Sequence, residues 1–275
     1  MSKVTKEHYV PCCYLWNFSF NKNNKSPQKS PIYVYDKIIS KQFHRAVCDV
    51  ASEYGFYDNE NLGEKSHFLE DFLKHVEGDY SSLLKELIHR FSYDANHVIT
   101  QKEKSELAAH FAIQYVRTLK HRNFLSYIVE KFKTIVPTNN VNYKRMESKH
   151  YVKDLHNEEL ISLESANNFA NLFEHKKWAV IINKTSQKFC TSDNPICVIN
   201  LFGSQGLCSP LCTIFVPISP NILIVMVDGK MPIYDCHAAE MTDLKMVNYY
   251  NKKQYDNCIR CVFSISDDFS FCKPD

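Results

Sequence analysis

The chain has 275 residues, 44% hydrophobic and 13% aromatic, with a net charge of +2 and only six glycines. That is enough apolar material for a substantial core and argues against disorder. There is no global basic field to draw in nucleic acid, and so few glycines disfavour phosphate-cradling loops and nucleoside-triphosphate chemistry. No stretch approaches the roughly 18 apolar residues of a membrane span. The opening MSKVTKEHYV lacks the apolar core of a signal peptide. Eleven cysteines, an odd number, then point to reduced thiols in a cytoplasm.

In chain order, His8-Tyr9-Val10-Pro11 opens the patterned region, and the aromatic segment Cys12–Phe20 suits a core position. The polar stretch 21–30 is a loop. Ile32–Tyr35 reads as a strand, with a turn over Asp36–Ile39 into a second near Gln42–Val47, an N-terminal β-hairpin. Glu53–Tyr57 is a connector. Over Ser66–Phe91, Leu69, Leu73, Val76, Tyr80, Leu87 and Phe91 fall on one helical arc. Gly78 marks a bend in it, and Glu70 and Glu77 lie on one edge.

Thr100–Phe132 predicts one long helix, opened by a Thr100/Glu103 capping box. Leu107, Phe111, Ala112, Tyr115 and Leu119 form its apolar arc, and His110, Gln114, Arg117 and His121 the opposite stripe. Beyond Arg122 the apolar residues Leu125, Ile128 and Phe132 take over that stripe, so it is expected to face protein. Residues 137–142 break the chain, and a third helix is predicted over Glu158–Lys176. Short β runs follow at 179–182, 188–191, 196–200, 213–217, 222–227 and 259–264, with a last helix over Cys236–Asn251. The expected fold is α+β, with central long helices packed against the N-terminal hairpin and a C-terminal, mostly antiparallel sheet. It is read as one interleaved domain: an N-terminal segment over residues 1–60, a helical middle over 61–176 and a β-rich region over 177–275.

Cys258-x-x-Cys261 and Cys208-x-x-x-Cys212 have zinc-like spacing. An odd offset at a strand edge sends side chains to opposite faces, and no His pair accompanies them, so core thiols are the reading and zinc is not expected. A Glu77 half toward the core needs a partner such as Arg117. Thr191–Pro195 reads as a turn, or as the end of a strand aiming Asp193 and Asn194 into a cleft. The Arg117…His121 pair is similar to that of helical ribonucleases of the HEPN type, with a shorter gap. Arg and His on adjacent turns can hold a phosphate and pass a proton.

The segments HYVPCCYLWNFS (8–19), IYVYDK (32–37), EYGFY (53–57), LEDFLKHVEG (69–78), HFAIQYVRT (110–118) and FCTSDNPI (189–196) occur in this order. Together they resemble the bacterial family filed as domain of unknown function 4238, with its HYVP opening, paired glutamates, Gln-x-x-Arg helix and TSDNP turn. The resemblance spans most of the chain and nominates His8, Glu77, Gln114, Arg117, Asp193 and Asn194. Those residue types suit phosphodiester chemistry. The expected function is a cytoplasmic nuclease, RNA before DNA, of the toxin or phage-defence type. Arg117 would meet the phosphate and His8 and Glu77 share acid–base work, while Gln114, Asp193 and Asn194 bind substrate. A divalent metal such as Mg, if used, would sit on Glu77 and Asp193. The alternative is a non-enzymatic sensor or adaptor that binds a small anionic ligand, a phage component or a partner protein. Self-association stays open, and no membrane partner is expected.

Overall fold

The computed structural model describes residues 6–23, 25–58, 65–94, 96–200, 206–209 and 211–272; the side chains of 65–68 and 70, and so that of Glu70, lie outside the described residues. The N-terminal segment holds β1 (Lys6–His8), α1 (Cys12–Leu15), β2 (Pro31–Asp36), β3 (Lys41–Ala46) and β4 (Ser52–Tyr54). The helical middle holds α2 (Lys65–Tyr93), α3 (Gln101–Val116), α4 (Leu119–Lys133), α5 (Val141–Met146), α6 (Tyr151–Ile161) and α7 (Leu163–Glu174). Then come β5 (Lys177–Asn183), β6 (Thr191–Ser192), β7 (Cys197–Ile199), β8 (Thr213–Ser219), β9 (Ile222–Val227), β10 (His237–Met241), α8 (Leu244–Asn257) and β11 (Cys261–Ser264). The fold is α+β, and among the described residues no helix is long and apolar enough to cross a membrane.

Alternation explains the strands. In β2, Ile32, Val34 and Asp36 are buried and the residues between them are not, the period-two pattern of a strand with one core face. β8 and β9 are apolar almost throughout because both faces are covered. Ile214, Val216, Ile222, Ile224 and Met226 face the main core with the central helices. Phe215, Leu223 and Val225 pack on the other side with Val247 of α8. The five strands run in the order β10-β5-β9-β8-β7, antiparallel except for the parallel pair β10 and β5. The predicted hairpin β2–β3 is present, but its partner is the far end of the chain: β11 joins β2, and β6 joins β11.

The helices divide more finely than periodicity suggested. The predicted helix over 100–132 is two helices that part at Arg117-Thr118. Thr118 turns extended, and its Oγ1 accepts from the His121 amide at 3.3 Å, so a side-chain cap starts α4 afresh. The shift of the apolar arc beyond Arg122 is the new register this break creates. In the same way Ser162 caps α7, so the third helix arrives as α6 and α7. Gly78 leaves α2 continuous. The helix predicted from Cys236 starts only after Asp243, which caps α8. His237–Met241 is a strand because it pairs with β5, a tertiary contact that outweighs the helix-forming Ala, Glu and Met. Of 188–191, only Thr191 enters a strand.

Removing the α4 cap with Thr118→Ala is expected to cost about 1 kcal/mol of stability. Urea denaturation reads this as a lower midpoint with an unchanged slope. An unchanged midpoint contradicts the capping account.

Candidate functional site

Breaking a helix at Val116 leaves backbone carbonyls without their usual donors. Here His156 Nε2 donates to the Val116 carbonyl at 2.8 Å, and the Tyr57 hydroxyl lies 3.4 Å from that of Arg117. His156 can do this only as the neutral Nε2–H tautomer, because its Nδ1 accepts from Arg122 Nε and Nη2 at 3.1 and 2.9 Å. Arg122 also lies flat on the Phe56 ring, 3.5 Å from its centre, and bonds the Phe56 carbonyl. The expected connector over 53–57 thus begins as the end of β4, and its Phe56 and Tyr57 form a strap over the joint between α3 and α4.

Arg117 sits at that joint with its side chain only 3% exposed. Its Nη2 donates to the His8 carbonyl at 2.6 Å and ion-pairs with Glu77 at 3.0 Å. α2 and α3 run antiparallel here: Glu77 meets Arg117, and the Tyr80 ring stacks on His110 at 4.8 Å. Gln114, three residues before Arg117 and four after His110, lies between these two contacts. Both of its amide atoms, Tyr80 Oη, His110 Nδ1 and Arg117 Nε are buried without a protein partner. Each such atom costs roughly 1–3 kcal/mol if left unbonded, so this cluster is a costly polar spot in the core behind the ion pair. A cleft of about 510 Å³ is lined by Glu77 together with Cys12, Cys13, Trp16 and Lys85. The His8 ring donates from Nε2 to the Cys48 carbonyl at 3.2 Å, and burial lowers its pKa, leaving a neutral ring whose Nδ1 accepts.

His8, Glu77, Gln114 and Arg117 therefore gather in one place, whereas Asp193 and Asn194 lie elsewhere. The Asp193 carboxylate accepts three backbone N–H groups, from Ile259, Arg260 and Cys261, at 2.8, 2.6 and 2.7 Å. Burial raises its pKa against those donors and Lys120. It ties the TSDNP turn to the start of β11. Asn194 faces a second and larger cleft of about 600 Å³, which it shares with Thr118, Lys120, His121, Phe124 and Asn257.

This larger cleft is where α4 begins. Lys120 Nζ donates to both oxygens of Asn257, and its pKa is lowered by burial against Cys197 and Asp193. His121 Nε2 lies 2.8 Å from Glu159 Oε2. A carboxylate accepts, so Nε2 carries the proton and Nδ1 is the basic nitrogen. Periodicity places His121 on one stripe with Arg117 but gives no sign of Lys120, Glu159 or Asn257. Thr118 was the available signal, since a Thr cap at that position puts Lys120 and His121 into a first helical turn.

For a divalent ion the donor set does not fit, as Glu77 is engaged by Arg117 and Asp193 by three amides. Among the described residues no group of three or more His, Cys, Asp and Glu stands where it could hold a metal ion. The eleven cysteines are free thiols, and burial pushes those of Cys12 and Cys13, at the Glu77 cleft, up to about 12.

A family model, Protein of unknown function (DUF4238), matches residues 6–268, and the chain belongs to that family. No curated protein and no solved structure matches the chain.

Two outcomes test the joint. Arg117→Met strands Glu77 and the His8 carbonyl and is expected to cost on the order of 3–5 kcal/mol in urea denaturation; a loss below about 1 kcal/mol contradicts the strut. His156 and His110 are neutral in the fold, with pKa values pushed down by burial from 6.5 to about 3 and about 4. The unfolded chain binds more protons below pH 6.5, so stability is expected to fall as pH drops toward 4, by up to ~1.4 kcal/mol per pH unit for each ring. His110→Phe is expected to flatten that slope. Stability that stays constant across this window contradicts the assignment.

Proposed function

We propose that the chain is a nuclease that cleaves RNA in preference to DNA, with the scissile phosphate in the cleft at the start of α4. The observation that carries this reading is the His121–Glu159 pair, 2.8 Å apart, beside Lys120 in that cleft. A histidine oriented by a carboxylate and neighboured by a lysine suits general-base attack on a phosphate. His121 Nδ1 takes the proton of a ribose 2′-hydroxyl. The 2′-oxygen bonds to phosphorus as the bond to the 5′-oxygen breaks, leaving a 2′,3′-cyclic phosphate and a 5′-hydroxyl protonated by solvent. Lys120, held by Asn257, offsets the charge that gathers on the phosphate oxygens, and the amide of Asn194 orients it. DNA lacks the 2′-hydroxyl, which accounts for the preference.

Arg117, Glu77 and His8 act in this reading from behind the cleft. They fix the joint that aims Lys120 and His121, and Asp193 fixes the turn that presents Asn194. The work takes place in the cytoplasm, where eleven free thiols stay reduced. Unrestrained RNA cleavage there suits a toxin or phage-defence effector.

Purified protein is expected to cut single-stranded RNA into cyclic-phosphate ends, undiminished by EDTA. His121→Ala is expected to lose on the order of 100-fold or more, with folding intact by circular dichroism and growth arrest abolished in a bacterial host. Failure of the parent to cut RNA, or wild-type cutting by folded His121→Ala protein, overturns the reading. The rival reading, a sensor for an anionic ligand in the same cleft, gains if the parent binds phosphate without cleaving RNA.

A further inference from the structure

The outer face of α4 carries two large aromatic rings that are each more than half exposed. Phe124 and Tyr127 are 54% and 58% exposed. Three residues apart, they share one face of the helix. Phe124 also lines the cleft that holds Lys120 and His121, so the aromatic face continues directly out of it. One turn beyond Tyr127, Lys131 Nζ stands 5.3 Å from its ring centre.

Charge is concentrated on the same stretch. Residues 118–153 carry eight Lys and Arg against two Glu, although the whole chain is only +2. The remainder is therefore net negative. Lys131, Lys144 and Arg145 are exposed, on α4 and the adjoining α5.

We infer that the α4 face formed by Phe124 and Tyr127 is the platform for an unpaired RNA strand, with neighbouring bases stacked on the two rings and the backbone running along the basic residues of α4 and α5. The inference rests on the RNA-cleavage reading and narrows its substrate to single strands. Bases in a duplex present no free faces to stack on exposed rings, whereas any unpaired base does, so binding is tolerant of sequence. The strand's phosphates match the local positive charge, which would release counterions and make binding salt-dependent. A lipid surface or a second copy of the chain would also cover exposed aromatics, but neither explains why the rings lead into a Lys–His cleft.

The test is fluorescence anisotropy with a labelled, 2′-O-methylated twelve-nucleotide single strand, which has no free 2′-hydroxyl to react. Phe124→Ala and Tyr127→Ala are each expected to weaken binding on the order of ten-fold, and the double variant about 100-fold. A matching duplex is expected to bind more weakly than the strand. Lys131→Ala with Lys144→Ala is expected to make the salt dependence shallower. Binding of the strand by the double variant as tightly as by the parent overturns the inference, even if the parent cleaves RNA. Loss of strand binding in the double variant upholds it, even if no cleavage is found and the nuclease reading falls. Two further results overturn it: the aromatic variants release the protein from anionic phospholipid vesicles with strand binding unchanged, or they change the oligomeric state with strand binding unchanged.

Discussion

The structure turns on one buried guanidinium. Arg117 ends the first of two helices that periodicity joins into one, and its side chain is withdrawn from solvent. Burying a charge is tolerable only where partners replace the lost water. The partners come from distant stretches of the chain: the His8 carbonyl from the N-terminal segment and Glu77 from α2. One interaction thus ties three segments together and fixes where α4 starts. Tyr57 and His156 take the carbonyls of Arg117 and Val116 that the break leaves over.

That geometry gives the motif residues a common purpose without requiring all of them to touch a substrate. The HYVP segment supplies a carbonyl, EYGFY supplies a strap, and Gln114 is buried on the helical turn before the ion pair. TSDNP works separately, with Asp193 clamping three amides so that Asn194 faces the cleft at the head of α4. The sheet that carries TSDNP is closed by the N-terminal hairpin, because β11 bridges β2 and β6. The two ends of the chain therefore hold the same edge of the site.

Much of this was legible from local pattern. The Thr100/Glu103 capping box is present as read, the period-two burial of β2 follows its alternation, and the pairing of Glu77 with Arg117 follows from their placement on core helices. The departures share a cause, in that they depend on contacts distant in sequence. His237–Met241 has a helical composition and becomes a strand because β5 offers it an edge. Glu159 lies 38 residues from His121, and Asn257 lies 137 from Lys120, so no spacing rule could have joined them. Thr118 was visible but ambiguous, since a threonine inside a long apolar arc reads equally as helix interior.

The proposed working cleft is the one at the head of α4, held in place by Arg117 from behind. A crystal structure of His121→Ala protein with a 2′-O-methylated dinucleotide addresses it most directly. The expected result is a phosphate within hydrogen-bonding reach of Lys120 Nζ and Asn194, with one base against Phe124. A phosphate found instead beside Glu77, in the cleft lined by Cys12 and Trp16, would contradict the account.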